Sequence, residues 1–280
     1  MRILAISDVH SWDGYERLVD LHGPDVVALA GDLTSDGGAA FWRTAFEALP
    51  AFRRDKQAAL DRLGISVSTE EDGLELISGG SLRDVMSVEG ELERRYRDTA
   101  AFTRARHKLH TKPFYDFLAY AGRRAHVLVV KGNHDYDFPR DYSRARINRT
   151  RGCREISGET VTVDGTTFLG LGYAEAGYRI PLRRLLAQHT GRVDVVIAHP
   201  PHQNVRLVAA LKPRLLIRGH FATGRYLVDG VPSVFTDGQH AVIDLLRRGV
   251  PRVTMDDTSS ESFWRRRYDW LRAYPSRRAR

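Results

Sequence analysis

The chain has 280 residues, 42% of them hydrophobic and 28% charged, with a formal net charge of +8. This composition fits an ordinary globular protein and excludes fibrous, low-complexity and disulfide-framework classes. No apolar run approaches the roughly 18 residues of a membrane span, and the single cysteine, Cys153, excludes an intrachain disulfide and points to a reducing cytoplasm.

Met1 to Ser7 is a short apolar run that predicts a buried strand ending at Asp8. Because the start runs straight into that acid, no room is left for a removable signal peptide. Tyr15, Leu18 and Val19 recur at helical spacing, so Gly14 to His22 is expected to be a helix. Asp25 to Ala30 predicts a second buried strand, closing at Gly31-Asp32. The opening is therefore a βαβ unit with polar residues where each strand ends, which is where open α/β sheets place their sites.

From Thr34 to about Gly122 the pattern changes to a mainly helical insertion, with Phe41-Trp42, Phe46, Leu49, Leu60 and Leu63 at helical spacing and a long charged helical stretch from Glu89 to Leu118. The piece between, Ile65 to Val88, is mixed. Lying between two motifs of chemical interest, this block (34–122) is expected to cap the mouth of the site. His126 to Val130 returns to strand character and ends at Gly132-Asn133-His134-Asp135. Thr160 to Val163, the Asp164-Gly165 turn and Thr167 to Leu171 form a hairpin signal. Leu182 to His189 and Asn204 to Leu211 are expected helices. Val193 to Ala198 is a strand before His199, and Leu215 to Ile217 is one before Gly219-His220. Strands near Tyr226, Ser233, Ala241 and Arg252 close a domain of about 1–255.

The basic character is concentrated at the end of the chain. Residues 265 to 280 hold seven Arg and one Asp, which leaves the rest of the chain near +2. Residues 256–280 form a basic aromatic tail in which Trp264, Tyr268 and Trp270 alternate with Arg. Such a tail can bind single-stranded nucleic acid or an acidic membrane surface, although a terminal helix packing its aromatics on the domain is the plainer reading.

Five segments carry ligand chemistry at predicted strand ends: Asp8-Val9-His10, Gly31-Asp32, Gly132-Asn133-His134-Asp135, Ala198-His199 and Gly219-His220. Singly, each has an ordinary explanation, such as a helix cap or a loop histidine. Jointly, they supply oxygen and imidazole ligands suited to divalent cations.

Their order resembles the calcineurin-like metallophosphoesterase superfamily, whose signature is Asp-x-His, Gly-Asp, Gly-Asn-His-Asp/Glu, His and Gly-His-x-His. The resemblance implies an α/β fold, a four-layer αββα sandwich of two mixed β-sheets flanked by helices. It also implies two divalent metal ions (manganese first, then iron, zinc, nickel or calcium) acting on a phosphate-ester substrate, a monoester or a diester. Asp8 and His10 would serve the first metal, Asn133, His199 and His220 the second, and Asp32 would bridge them. His134 would protonate the leaving oxygen, with Asp135 orienting it. Ala222 stands where the second His of Gly-His-x-His belongs, so the first site is weakened. Water can fill that gap, Thr223, Asp237 or His240 can stand in, or only one metal binds. The alternatives to an enzyme of this kind are a catalytically impaired binding or scaffold protein and a nuclease using the basic tail. Arg123, Arg124, Arg140 and Arg144 flank the Asn133 loop as candidate phosphate clamps.

Overall fold

A computed structural model describes residues 1–9, 11–34, 45–69, 75–136, 140–177, 183–184, 187–188, 193–201, 204–220, 223–247 and 249–255. The basic tail and half of the helix expected at 182–189 lie outside the described residues. The chain divides into two compact units, Met1–Gly37 with Pro113–Arg280, and Gly38–Lys112.

Up to the second unit and through it, the elements are β1 (Arg2–Ile6), α1 (Tyr15–His22), β2 (Val26–Ala30), α2 (Pro50–Arg62), β3 (Ser66–Thr69), β4 (Glu75–Ser78), α3 (Leu82–Tyr96) and α4 (Ala100–Arg106). There follow α5 (Lys112–Ala121), β5 (His126–Val130), α6 (Arg144–Arg149), β6 (Cys153–Glu155), β7 (Thr160–Val163), β8 (Thr166–Leu171) and α7 (Tyr173–Gly177). The last are β9 (Val195–Ala198), α8 (Val205–Ala209), β10 (Leu215–Arg218), β11 (Thr223–Val228), β12 (Val231–Thr236), β13 (His240–Asp244) and β14 (Arg252–Met255).

The first unit contains two six-stranded mixed sheets, ordered β14-β13-β1-β2-β5-β6 and β11-β12-β10-β9-β8-β7. In the first, β1, β2, β5 and β6 run parallel, while β13 returns antiparallel along β1. Strands buried on both faces read as continuous apolar runs, and β2, Val-Val-Ala-Leu-Ala, is buried at every position. Alternation then assigns the layers. Ile3, Ala5, Val26, Ala28 and Leu128 face Phe168, Val195, Ile197 and Ile217 in one core between the sheets. Leu4, Ile6, Val27, Leu29 and Val129 face the other way, onto Val19 of α1 and Phe114, Phe117 and Leu118 of α5. On the outer side of the second sheet, Val196, Ala198 and Leu216 meet Val205 and Val208 of α8. This is the expected fold, two large mixed sheets flanked by helices.

The hairpin expected at Asp164-Gly165 is present between β7 and β8. Both turn residues have positive φ, 46° and 74°, as a two-residue type I′ turn requires. A matching Asp229-Gly230 turn joins β11 to β12.

The helical stretch expected from Glu89 to Leu118 is broken once. Thr99 caps a new helix by accepting the Phe102 N–H, so α3 and α4 are separate. Past α4 the chain stays helical, with a π-helical segment at His107–Thr111 leading directly into α5, at whose start Pro113 brings no N–H to the ladder. The mixed piece resolves into the β3–β4 hairpin and α3, which Ser81 and Asp84 start with a reciprocal capping box. Phe46 stacks between Phe52 and Phe102 at ring distances of 5.1 and 4.2 Å in the core of the second unit.

Candidate metal centre

The parallel strands β1, β2, β5, β9 and β10 all end at one edge of the first unit, and the residues after them converge. Asp8, Asp32 and His220 hold φ of 50°, 56° and 71°. Left-handed backbone at non-glycine residues is strained and collects at functional sites. His10 and Ala222 lie outside the described residues.

His199 is fully buried and organises the cluster. Its Nδ1 lies 2.7 Å from the Ala30 carbonyl, to which it donates, so Nε2 faces inward. There it lies 3.1 Å from Asn133 Oδ1 and 3.2 Å from Asp32 Oδ2. One carboxylate oxygen of Asp32, Oδ1, accepts the His134 N–H at 2.8 Å. The other, Oδ2, is buried and has no hydrogen-bond partner. Ligand atoms of Asp32, His199 and His220 lie within 4.8 Å of one another. An orphaned carboxylate oxygen, two imidazoles and a nearby amide oxygen are the donors a borderline divalent cation takes, so these residues fit one. Asp8 adjoins them, its Oδ2 accepting the His220 N–H at 2.9 Å.

The electrostatics follow from burying acids and imidazoles together. Burial pushes the Asp8 carboxyl up, to about 7; His199 opposes this, while Asp32 and Asp237 add to it. Burial also pushes Asp32 upward, but the charges of His199 and His134 and the hydrogen bond from the His134 backbone outweigh it and hold Asp32 below its ordinary value. For His199, burial works against the charge, yet Asp32 and Asp8 raise it to about 9. Raised folded-state values stabilise the protein at low pH and lose that contribution as pH climbs through them. For His199 the window runs from its ordinary 6.5 to about 9, and for Asp8 from 3.8 to about 7. Metal-free protein in EDTA is therefore expected to lose thermal stability between pH 6.5 and 9, by up to about 3 kcal/mol from His199. Saturating Mn2+ should flatten the slope, because a cation takes the Nε2 lone pair in place of the proton. Calorimetric melts across this range check it, and a metal-free Tm that rises with pH would contradict it.

Asp135 is fully buried in the short turn after β5. Its carboxylate accepts the backbone N–H groups of Asp32, Leu33, Thr34 and Gly132 and the Thr34 hydroxyl, at 2.9 to 3.0 Å. It thus ties the Asn133 loop to the loop that carries Asp32. His134 is half-buried beside it. Sequence reasoning missed Arg218, which is fully buried at the end of β10. Its Nε donates to the Gly219 carbonyl at 2.8 Å, a second arm reaches the His220 carbonyl, and its guanidinium lies 4.5 Å from the Phe235 ring. The available signal was an arginine closing an otherwise apolar strand directly before Gly-His. Two of the flanking arginines are engaged by carboxylates instead of facing the cluster: Arg124 by Asp20 at 3.0 Å, and Arg144 by Glu155 at 3.0 Å and by Glu159.

Residues 1–65 match the family model for calcineurin-like phosphoesterases. No curated protein matches the chain. One solved crystal structure is similar at TM-score 0.51 and 14% identity, covering 92% of this chain and 99% of that one. The crystal structure of TT1561 of Thermus thermophilus matches at TM-score 0.47 and 12% identity, covering 91% and 98%. No described helix is long and apolar enough to cross a membrane. The chain thus carries the calcineurin-like phosphoesterase sequence pattern in its first 65 residues, on the two-sheet fold of the metallophosphoesterases.

Proposed function

We propose that the chain is a metal-dependent phosphoesterase that hydrolyses a phosphomonoester or phosphodiester, with manganese as the first metal to try. The observation that carries this reading is Asp32 Oδ2, buried without a hydrogen-bond partner beside His199 Nε2, in a group where ligand atoms of Asp32, His199 and His220 lie within 4.8 Å of one another. Asp32, Asn133, His199 and His220 would hold one cation, and Asp8, His10 and Asp32 a second. Divalent cations held there supply Lewis acidity and an activated water for attack at phosphorus.

The residues around them have separate work. The Nδ1–H···O=C bond to Ala30 fixes the His199 ring so that Nε2 meets the site. Asp135 holds the 32–34 loop and Gly132 in register, which sets where Asp32 stands; this positioning role accompanies the orienting of His134 expected from the resemblance. Arg218 fixes the carbonyls around His220 and so the strained turn that presents it. His134, anchored through its N–H to Asp32, would give a proton to the leaving oxygen.

A panel of aryl phosphate mono- and diesters, assayed with added Mn2+, tests the reading. Turnover is expected in the wild type. The His134→Ala variant is expected to lower kcat by about 10²- to 10⁴-fold, the usual share of general acid catalysis, without loss of bound metal. Absence of turnover with manganese, iron, zinc, nickel and calcium alike would favour the binding-protein alternative that Ala222 suggests.

A further inference from the structure

Thr223, Asp237 and His240 are the groups expected to stand in for the ligand that Ala222 cannot supply, and the structure separates them. His240 pairs with Ile6 across β13 and β1, and its ring lies 6.2 Å from that of His22 at the end of α1. Ile6 belongs to the layer beneath the helices, so His240 lies on that side of the sheet. Thr223 donates its hydroxyl to the Asp237 carbonyl at 2.9 Å.

Asp237 follows β12 as Asp8 follows β1, and the two strand ends are joined. Ser7 and Asp237 form a parallel β-bridge, and the Ser7 and Thr236 hydroxyls lie 2.9 Å apart. The β1–β12 junction therefore sets Asp237 next to the turn that carries Asp8. Among the described residues neither Asp8 nor Asp32 forms an ion pair with Lys or Arg. Asp8 and Asp32 are 2% and 1% exposed, Asp237 is half-buried, and Asp32 Oδ2 has no hydrogen-bond partner. Buried like charges of this kind call for a cation.

We propose that Asp237 is a metal ligand on the Asp8 side of the centre, supplying from the end of β12 the donor that Ala222 cannot. The proposal rests on the metal-dependent reading above. It makes that side of the site richer in carboxylate than the His199 side, and so better suited to a harder cation such as Mn2+.

The test uses the full chain, stripped with EDTA and reloaded with Mn2+, read by metal stoichiometry, titration calorimetry and electron paramagnetic resonance. Wild type is expected to bind two Mn2+ and give the multiline signal of a coupled pair. Asp237→Ala is expected to keep one ion with a mononuclear six-line signal, the second binding weakened by about 100-fold or more, at least the effect of losing a group that supports a ligand. Adding Ala222→His to that variant should restore the second ion, which separates ligand loss from misfolding. Two ions bound with unchanged affinity in Asp237→Ala would overturn the proposal alone, as would a single ion in wild type. No Mn2+ bound by wild type would overturn the phosphoesterase reading with it.

Discussion

Asp32→Asn is expected to abolish useful turnover while leaving the fold intact. The substitution keeps the shape of the side chain and an oxygen for the His134 N–H, which Asp32 Oδ1 now accepts at 2.8 Å. It removes the charge and places an amide NH2 where Oδ2 now stands bare, 3.2 Å from His199 Nε2. A donor in that position repels a cation and leaves the candidate ligand set without its central carboxylate. Turnover of an aryl phosphate with Mn2+ should fall on the order of 10³-fold, the scale of removing one preorganised charge-stabilising group, and retained metal should fall with it. Because Asp32 is the leading charge raising His199, the imidazole of the metal-free variant should titrate well below the wild-type value of about 9. Imidazole nitrogen NMR reads that shift without any assay of activity. Activity within about tenfold of wild type, a difference of only ~1.4 kcal/mol, would remove Asp32 from the site.

Gly132→Ala is expected to cost about 3 kcal/mol, the upper range for forcing extra atoms into a packed interior, and to dismantle the site. A Cβ at Gly132 would stand 2.1 Å from Asp32 Oδ1 and 2.2 Å from the Asp32 backbone nitrogen. Neither can give way, since that nitrogen is bonded to Asp135 and that oxygen to His134. A loss of this size lowers Tm by roughly 6–12 °C in a chain of this length. Gly165→Ala is the comparison. There the backbone is strained, at φ +74°, but a Cβ would meet nothing within 4 Å, so only the left-handed penalty of about 1–2 kcal/mol applies. A thermal shift for Gly132→Ala no larger than that for Gly165→Ala would show that the contact with Asp32 costs less than expected.

How much of this was legible in the sequence depends on how local the cause is. A strand buried on both faces leaves an uninterrupted apolar run, so β1, β2, β5, β9 and β10 could be read directly, along with the polar residues at their ends. The Asp164-Gly165 hairpin was equally readable, because its turn depends on two adjacent residues. The same logic held at Asp229-Gly230, where the signal was present but unused. The long helix read from Glu89 to Leu118 failed because helical spacing continues across a break. A single Thr99 hydroxyl, capping a new helix, decides where the ladder stops.

By itself the sequence determined the ligand types and their places at strand ends, since periodicity and turn chemistry act over a few residues. Only the tertiary structure decided which groups those ligands lean on. Asp135 reaches the 32–34 loop across a separation of 103 residues, and the Asp8 carboxylate holds the His220 N–H across 212. Arg218 looks like a surface residue until burial turns it inward onto two carbonyls. Asp237 comes to Asp8 only because β12 ends beside β1. Sheet register and the packing of two sheets place such partners, and no short window of sequence carries that information.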